Sequence, residues 1–232
     1  MYKRQDHDYG FWVGVGLLVV APLLLLGRSG APTAESFSVT FSDLWRFCLT
    51  LPAIAWAVAL FAAFEAMILT LLPVYCLQQG FTAEIALAMV STVVVGDALL
   101  QLPIGALADY LPRRTLFLSC AVLLLASSLA IPLLLHTQLI WPVWVIFGAS
   151  AGGLFTLSLI LIGERYRDDA LVRANAHVAQ LWGIGCLIGP LVAGAGSQWV
   201  SGHALPLLMA AGALGLVVLL LRQGAFGAAQ PA

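Results

Sequence analysis

The chain has 232 residues, of which 62% are hydrophobic and only 9% charged, and its net charge at pH 7 is −1. Soluble domains carry about 25% charged residues, so most of this chain cannot face water and lipid must be its solvent. A near-neutral charge also gives nucleic acid nothing to bind.

Seven apolar stretches of membrane-spanning length fill the chain: 11–26, 49–77, 83–108, 115–135, 139–162, 174–199 and 204–221. None alternates with period two, so membrane β-strands are a poor reading. In hydrocarbon each span must satisfy its own backbone hydrogen bonds, which leaves helices. The expected fold is an all-α integral membrane protein with seven transmembrane helices.

Residues 1–27 read as an outer N-terminal segment and the first helix. Lys3 and Arg4, the apolar run, and Ala31-Pro32-Thr33-Ala34 imitate a secretory signal. Cleavage there would leave every later arginine-rich loop outside the cell. Arg28, Arg46, Arg113, Arg114, Arg165, Arg167, Arg173 and Arg222 all lie on one side of the seven-span layout, against Lys3 and Arg4 on the other. By the positive-inside rule the arginine side is cytoplasmic. Residues 28–45, rich in Gly, Ser, Pro and Thr, are expected to form a cytoplasmic linker. Residues 46–222 form a six-helix unit and 223–232 a cytoplasmic tail. Its outer loops, 78–82, 136–138 and 201–203, are short, which makes neighbouring helices antiparallel.

Ionisable groups deep in a membrane are costly and suggest function. Glu65 lies mid-way along the second span and Asp97 mid-way along the third, so antiparallel helices bring the two to similar depth. A carboxyl withdrawn from water can exchange a proton nearer neutrality, the property a proton-coupling site needs. The bland alternative for each is a polar group that packs helices. Gln101, one turn from Asp97 on nearly the same face, either hydrogen-bonds it or lines a polar path toward the cytoplasm.

The fifth span carries Trp141, Trp144, Phe147, Ser150, Phe155, Thr156 and Ser158. Trp141 and Trp144 fit an interfacial aromatic belt. Glu164, Arg165, Arg167, Asp168, Asp169 and Arg173 form a cytoplasmic cluster of mixed sign, either a latch or a solvated loop. His177 opens the sixth span near the aqueous edge. Cys48, Cys76, Cys120 and Cys186 are scattered, without metal-ligand spacing. No cofactor is expected.

The loop after the third span is the most specific motif. Gly105-Ala-Leu-Ala-Asp109-Tyr110-Leu-Pro112-Arg113-Arg114 resembles the cytoplasmic signature loop of the major facilitator superfamily. Tyr110 replaces a usual basic residue and Pro112 a usual glycine. The sixth span, with Gly183, Gly185, Gly189, Pro190, Gly194 and Gly196, is similar to a Gly-Pro pattern on equivalent helices of that family. There, small residues permit close packing and Pro190 bends the helix. Leu72-Pro73-Val74-Tyr75, Gln101-Leu102-Pro103-Ile104-Gly105 and Arg173-Ala174-Asn175 resemble a bacterial drug-efflux-like branch that includes the YcaD-type carriers.

The resemblance implies two six-helix halves joined by a cytoplasmic loop. The first span would then be helix six of twelve, residues 28–45 the central loop, and the rest helices seven to twelve. Five further helices would precede Met1, in the same chain or a separate one.

It also implies secondary transport of a small molecule, exported or exchanged with protons across the inner membrane of a bacterium. Glu65 would be the coupling or substrate group, with Asp97 and Gln101 auxiliary, and the fifth span would line the cavity, its Phe147, Ser150, Phe155, Thr156 and Ser158 suiting a lipophilic substrate. Gly105, Asp109, Arg113 and Arg114 would govern a cytoplasmic gate. Gly185, Gly189, Pro190 and Gly194 would shape the packing. The implied partners are the lipid bilayer, the substrate, protons and the N-terminal half.

Two rivals remain. Gly148-Ala149-Ser150-Ala151-Gly152 matches a nucleophile-elbow pattern, but inside a membrane helix rather than a strand-turn-helix. The chain could also be a fragment without transport activity of its own, either inert or working only with a separately encoded half or as a dimer, because alternating access needs two bundles.

Overall fold

The computed structural model describes residues 40–199 and 202–222. They form eight helices: α1 Phe41–Thr50, α2 Pro52–Thr70, α3 Leu72–Gln78, α4 Ala83–Tyr110, α5 Arg113–Leu134, α6 Ile140–Arg165, α7 Asp168–Trp199 and α8 Ala204–Arg222. No strand occurs among the described residues. Six helices (α2 and α4 to α8) are long and apolar enough to cross a membrane. The first expected span, 11–26, lies outside the described residues, as does the tail 223–232.

Two boundaries differ from the sequence reading. The linker expected over 28–45 ends early, because α1 begins at Phe41 inside it. Asp43 stabilises that start by accepting a hydrogen bond from the Thr40 N–H at 3.3 Å, at the positive end of the helix. The single span expected over 49–77 is divided. Pro52 opens α2, a position where its missing N–H costs nothing. The helix then breaks at Leu71, because Pro73 cannot donate to Leu69 and its ring crowds that carbonyl.

The largest buried side chains include Trp144, Phe117, Phe147, Met67, Leu124 and Ile131, drawn from α2, α5 and α6. Trp144 is fully buried, not part of an interfacial belt as expected. It packs edge-on against Phe147 with ring centroids 5.7 Å apart.

Lipid gives helices no hydrophobic reason to associate, so close backbone packing decides their neighbours. Two glycine seams supply it. On α6, a Cβ at Gly148 would collide with the Val93 carbonyl oxygen of α4, and α4 replies with Gly96 against the Val145 backbone. On α7, a Cβ at Gly185 would collide with the Ala59 carbonyl oxygen of α2, and one at Gly189 would sit 2.7 Å from the Ala63 Cβ. Gly194 behaves differently from its expectation: no atom of the described residues lies within 4 Å of where its Cβ would be. The seam has run out by that turn. Pro190 lies within α7, where it removes one helical hydrogen bond.

These contacts generate a contrast that can be measured. Gly185→Val should overpack the α2–α7 seam, at a cost of about 1–3 kcal/mol, and lower the melting temperature of the purified protein in detergent. Gly194→Val should leave it unchanged. Equal shifts in the two variants would contradict the seam.

Candidate functional site

Glu65 lies in the second half of α2, directly after the buried Phe64 and one turn from the buried Phe61. Its side chain is partly exposed and has no hydrogen-bond partner among the described residues. α4, which carries Asp97, and α7, which carries Cys186, both pack against α2. Cys186 itself donates to the Ala62 carbonyl at 3.5 Å.

Asp97 is held differently. Gln101 donates from Nε2 to Asp97 Oδ1 at 2.9 Å, which selects the first of its two expected roles. The Asp97 carboxylate lies over Gly152 of α6, where a Cβ would overlap Oδ1 and sit 3.2 Å from Gln101 Nε2. Gly148 and Gly152 therefore form a bay that admits α4 and the Asp97 side chain. That is a packing role for the five residues that imitate a nucleophile elbow. Ser150, between them, is buried and donates to the Phe147 carbonyl at 3.1 Å. Ser158 likewise donates to Leu154 at 2.7 Å. Both hydroxyls are spent on their own helix, so neither lines a cavity as expected. Phe155 and Thr156 remain partly exposed.

An aromatic ladder runs beside Glu65. Phe61 stacks on Phe155 of α6 at 4.9 Å, and Trp182 of α7 meets both edge-on, at 5.5 Å from Phe61 and 5.0 Å from Phe155. Phe64 continues the ladder to Phe147 at 5.1 Å. Trp182 had no sequence signal beyond its type, since pairing across three helices is a tertiary fact. On another side, α2, α7 and α8 enclose an apolar groove of about 440 Å³ lined by Trp56, Leu60, Ile188, Gly189 and Gly212 among others.

The arginine-bearing helix ends carry the signature loop. Arg113 donates from Nε to Glu164 Oε1 at 3.0 Å and also through Nη2, joining α5 to the end of α6. Asp109, at the end of α4, is farther from Arg113 at 3.9 Å and largely exposed. Arg114 donates to the Leu220 carbonyl of α8 at 3.2 Å. The loop's strongest partner is thus Glu164, which the sequence placed in a separate charge cluster. Alternating helix direction brings α6 to the same membrane face, and that was the available signal. No atom of the described residues lies within 4 Å of where a Cβ at Gly105 would be.

His177 is buried by protein at its end of α7. Its Nδ1 lies 3.1 Å from Gln180 Oε1, and its ring packs 5.2 Å from Phe47 of α1. At the opposite end Tyr75 of α3 and His203 share a hydrogen bond of 2.9 Å between Oη and Nδ1, a pairing the sequence did not suggest. The four cysteines are free thiols, and among the described residues no cluster of His, Cys, Asp and Glu could hold a metal ion.

A family model described as Major Facilitator Superfamily matches residues 83–231. An "MFS-type transporter" of Aspergillus terreus is 29% identical over 99 residues, which cover 43% of this chain and 18% of that protein. The "Efflux pump dotC" of Dothistroma septosporum is 31% identical over 91 residues, 39% of this chain and 16% of that protein. The chain thus matches less than a fifth of the length of these curated relatives. Both are fungal proteins, so they support the superfamily and carry nothing for the bacterial branch suggested by 72–75, 101–105 and 173–175.

The Asp97 bay can be tested without a substrate. Gly152→Ala should lower the melting temperature by displacing the carboxylate. In an Asp97→Ala background, where nothing occupies the bay, the same change should cost clearly less. Contacting residues of this kind couple by about 0.5–3 kcal/mol. Additive effects in the double-mutant cycle would show that Asp97 does not fill the bay.

Proposed function

The chain belongs to the major facilitator superfamily, and on that premise we propose that it supplies the C-terminal six-helix half of a secondary transporter that exports or exchanges a lipophilic small molecule against protons. The observation that carries this reading is Glu65: an acidic side chain at mid-membrane depth, without a hydrogen-bond partner among the described residues, beside a ladder of aromatic rings. An ionisable group within a span is retained at a cost, which points to use rather than packing. Glu65 would load and release a proton as substrate enters and leaves. Asp97, already bound to Gln101, would set the charge that Glu65 senses. The aromatic rings would offer a flat apolar surface to the substrate.

Arg113 would act at the cytoplasmic gate. It pairs with Asp109 at the end of α4 and with Glu164 at the end of α6, and these contacts would part when that side opens. The other half of the cavity would come from an N-terminal bundle, since alternating access requires two bundles moving about a central site. We place the protein in the plasma membrane with the arginine-bearing loops and residues 223–232 in the cytoplasm. A second reading, a half that is inert unless partnered, is supported by the single bundle that the described residues form.

In the complete carrier, Glu65→Gln should reduce proton-driven efflux of a lipophilic dye to background while membrane levels stay normal. Undiminished efflux would remove Glu65 from the mechanism. Purified chain reconstituted alone should show no gradient-driven dye movement if the second reading holds. Asp109→Asn should slow exchange without weakening substrate binding; normal exchange with lost binding would place Asp109 at the substrate instead.

A further inference from the structure

The helix α1 has three sides, and transport accounts for none of the third. Leu44 and Phe47 are buried and pack with Leu51 and Val178 into a core at the cytoplasmic end of the bundle. Ser42, Asp43, Arg46 and Thr50 form a polar side. Phe41, Trp45 and Leu49, spaced at i, i+4 and i+8, form a continuous stripe that is 75%, 61% and 65% exposed. Each side takes roughly a third of the circumference of a 3.6-residue turn.

We propose that the Phe41-Trp45-Leu49 stripe lies in the lipid interface of the cytoplasmic leaflet, making α1 an in-plane anchor for the six-helix bundle. Three observations commit the stripe to lipid. First, depth is fixed by connectivity. Leu51 alone separates α1 from Pro52, the first residue of a membrane-spanning helix, so α1 sits at the membrane boundary itself. Second, Leu51 has a non-helical backbone (φ −130°, ψ 58°), so α1 leaves the axis of α2 instead of extending it into the cytoplasm. Third, the order of sides suits a helix lying in an interface. One side meets protein and the next is apolar with a central tryptophan, a residue that favours the headgroup level. The last holds Arg46 and Asp43 for water and lipid headgroups. The inference depends on α2 crossing a membrane and is independent of what the protein transports.

The test uses the unmodified full chain in vesicles of phosphatidylethanolamine and phosphatidylglycerol, doped with a phospholipid bearing a photoreactive diazirine high on its acyl chain. After irradiation, adducts are mapped by mass spectrometry, with the 80% exposed Leu133 of α5 as reference for a lipid-facing residue. Adducts are expected at Phe41, Trp45 and Leu49 and absent from Ser42, Arg46 and Thr50. In a Trp45→Lys, Leu49→Lys variant the α1 adducts should fall severalfold while that at Leu133 persists. Labelled Leu133 with an unlabelled stripe would overturn the proposal. Hydroxyl-radical oxidation of Trp45 would then identify water as its neighbour, and protection from both reagents would identify another protein surface.

Discussion

The two glycine seams determine where every other feature of the bundle lies. α6 reaches α4 because Gly148 and Gly152 leave no side chain between the backbones, and α7 reaches α2 because Gly185 and Gly189 do the same. In lipid this closeness has no hydrophobic substitute, since a leucine is as well solvated by acyl chains as by another helix. The seams also carry the polar groups. Asp97 occupies the space that Gly152 vacates, and Glu65 lies on α2 two residues beyond Ala63, which Gly189 touches. Small residues thus set both the helix order and the positions of the two carboxylates.

The two carboxylates are consequently unequal. Asp97 accepts a hydrogen bond from Gln101 on its own helix and is enclosed by α6. Such a group is satisfied in place, and moving it would strand Gln101 as well. Glu65 has the aromatic rings of Phe61 and Phe64 beside it and no donor among the described residues. A carboxyl without a fixed donor can accept a proton or a ligand without first breaking an internal bond. The chemistry expected of two similar acids at one depth therefore separates, one structural in its contacts and one available.

Much of this was legible in the sequence because hydropathy alone reports membrane spans. Six of the seven stretches coincide with helices, and Glu65 and Asp97 stood out because charge is rare within them. The rest depended on information that hydropathy averages away. α1 is ten residues of mixed character beginning in a polar linker, so no window long enough to detect a span could detect it. The break at Leu71 follows from Pro73, but proline within a membrane helix bends it as often as it divides it. Gly194 looks like Gly189 in sequence and differs only in whether a neighbour has come within reach. His177 was placed by its distance from the span's end, and the ring of Phe47 that covers it belongs to the helix that was not foreseen.

The contacts at the arginine-bearing helix ends are weak ones, which suits the role proposed for them. Arg113 is 29% exposed at its side chain and Glu164 47%, and Asp109 is more exposed still. Ion pairs open to water are worth about 0–1 kcal/mol each. They cannot be what holds the bundle together, a task already met by the seams and the buried core. A pair of that strength can instead form and part at little cost, so it can bias one arrangement of the helix ends without trapping it. Arg114 differs in donating to a backbone carbonyl of α8 inside the same bundle. The adjacent arginines thus differ in partner: Arg114 ties α5 to a backbone carbonyl of α8, and Arg113 pairs with the more exposed carboxylates of Glu164 and Asp109.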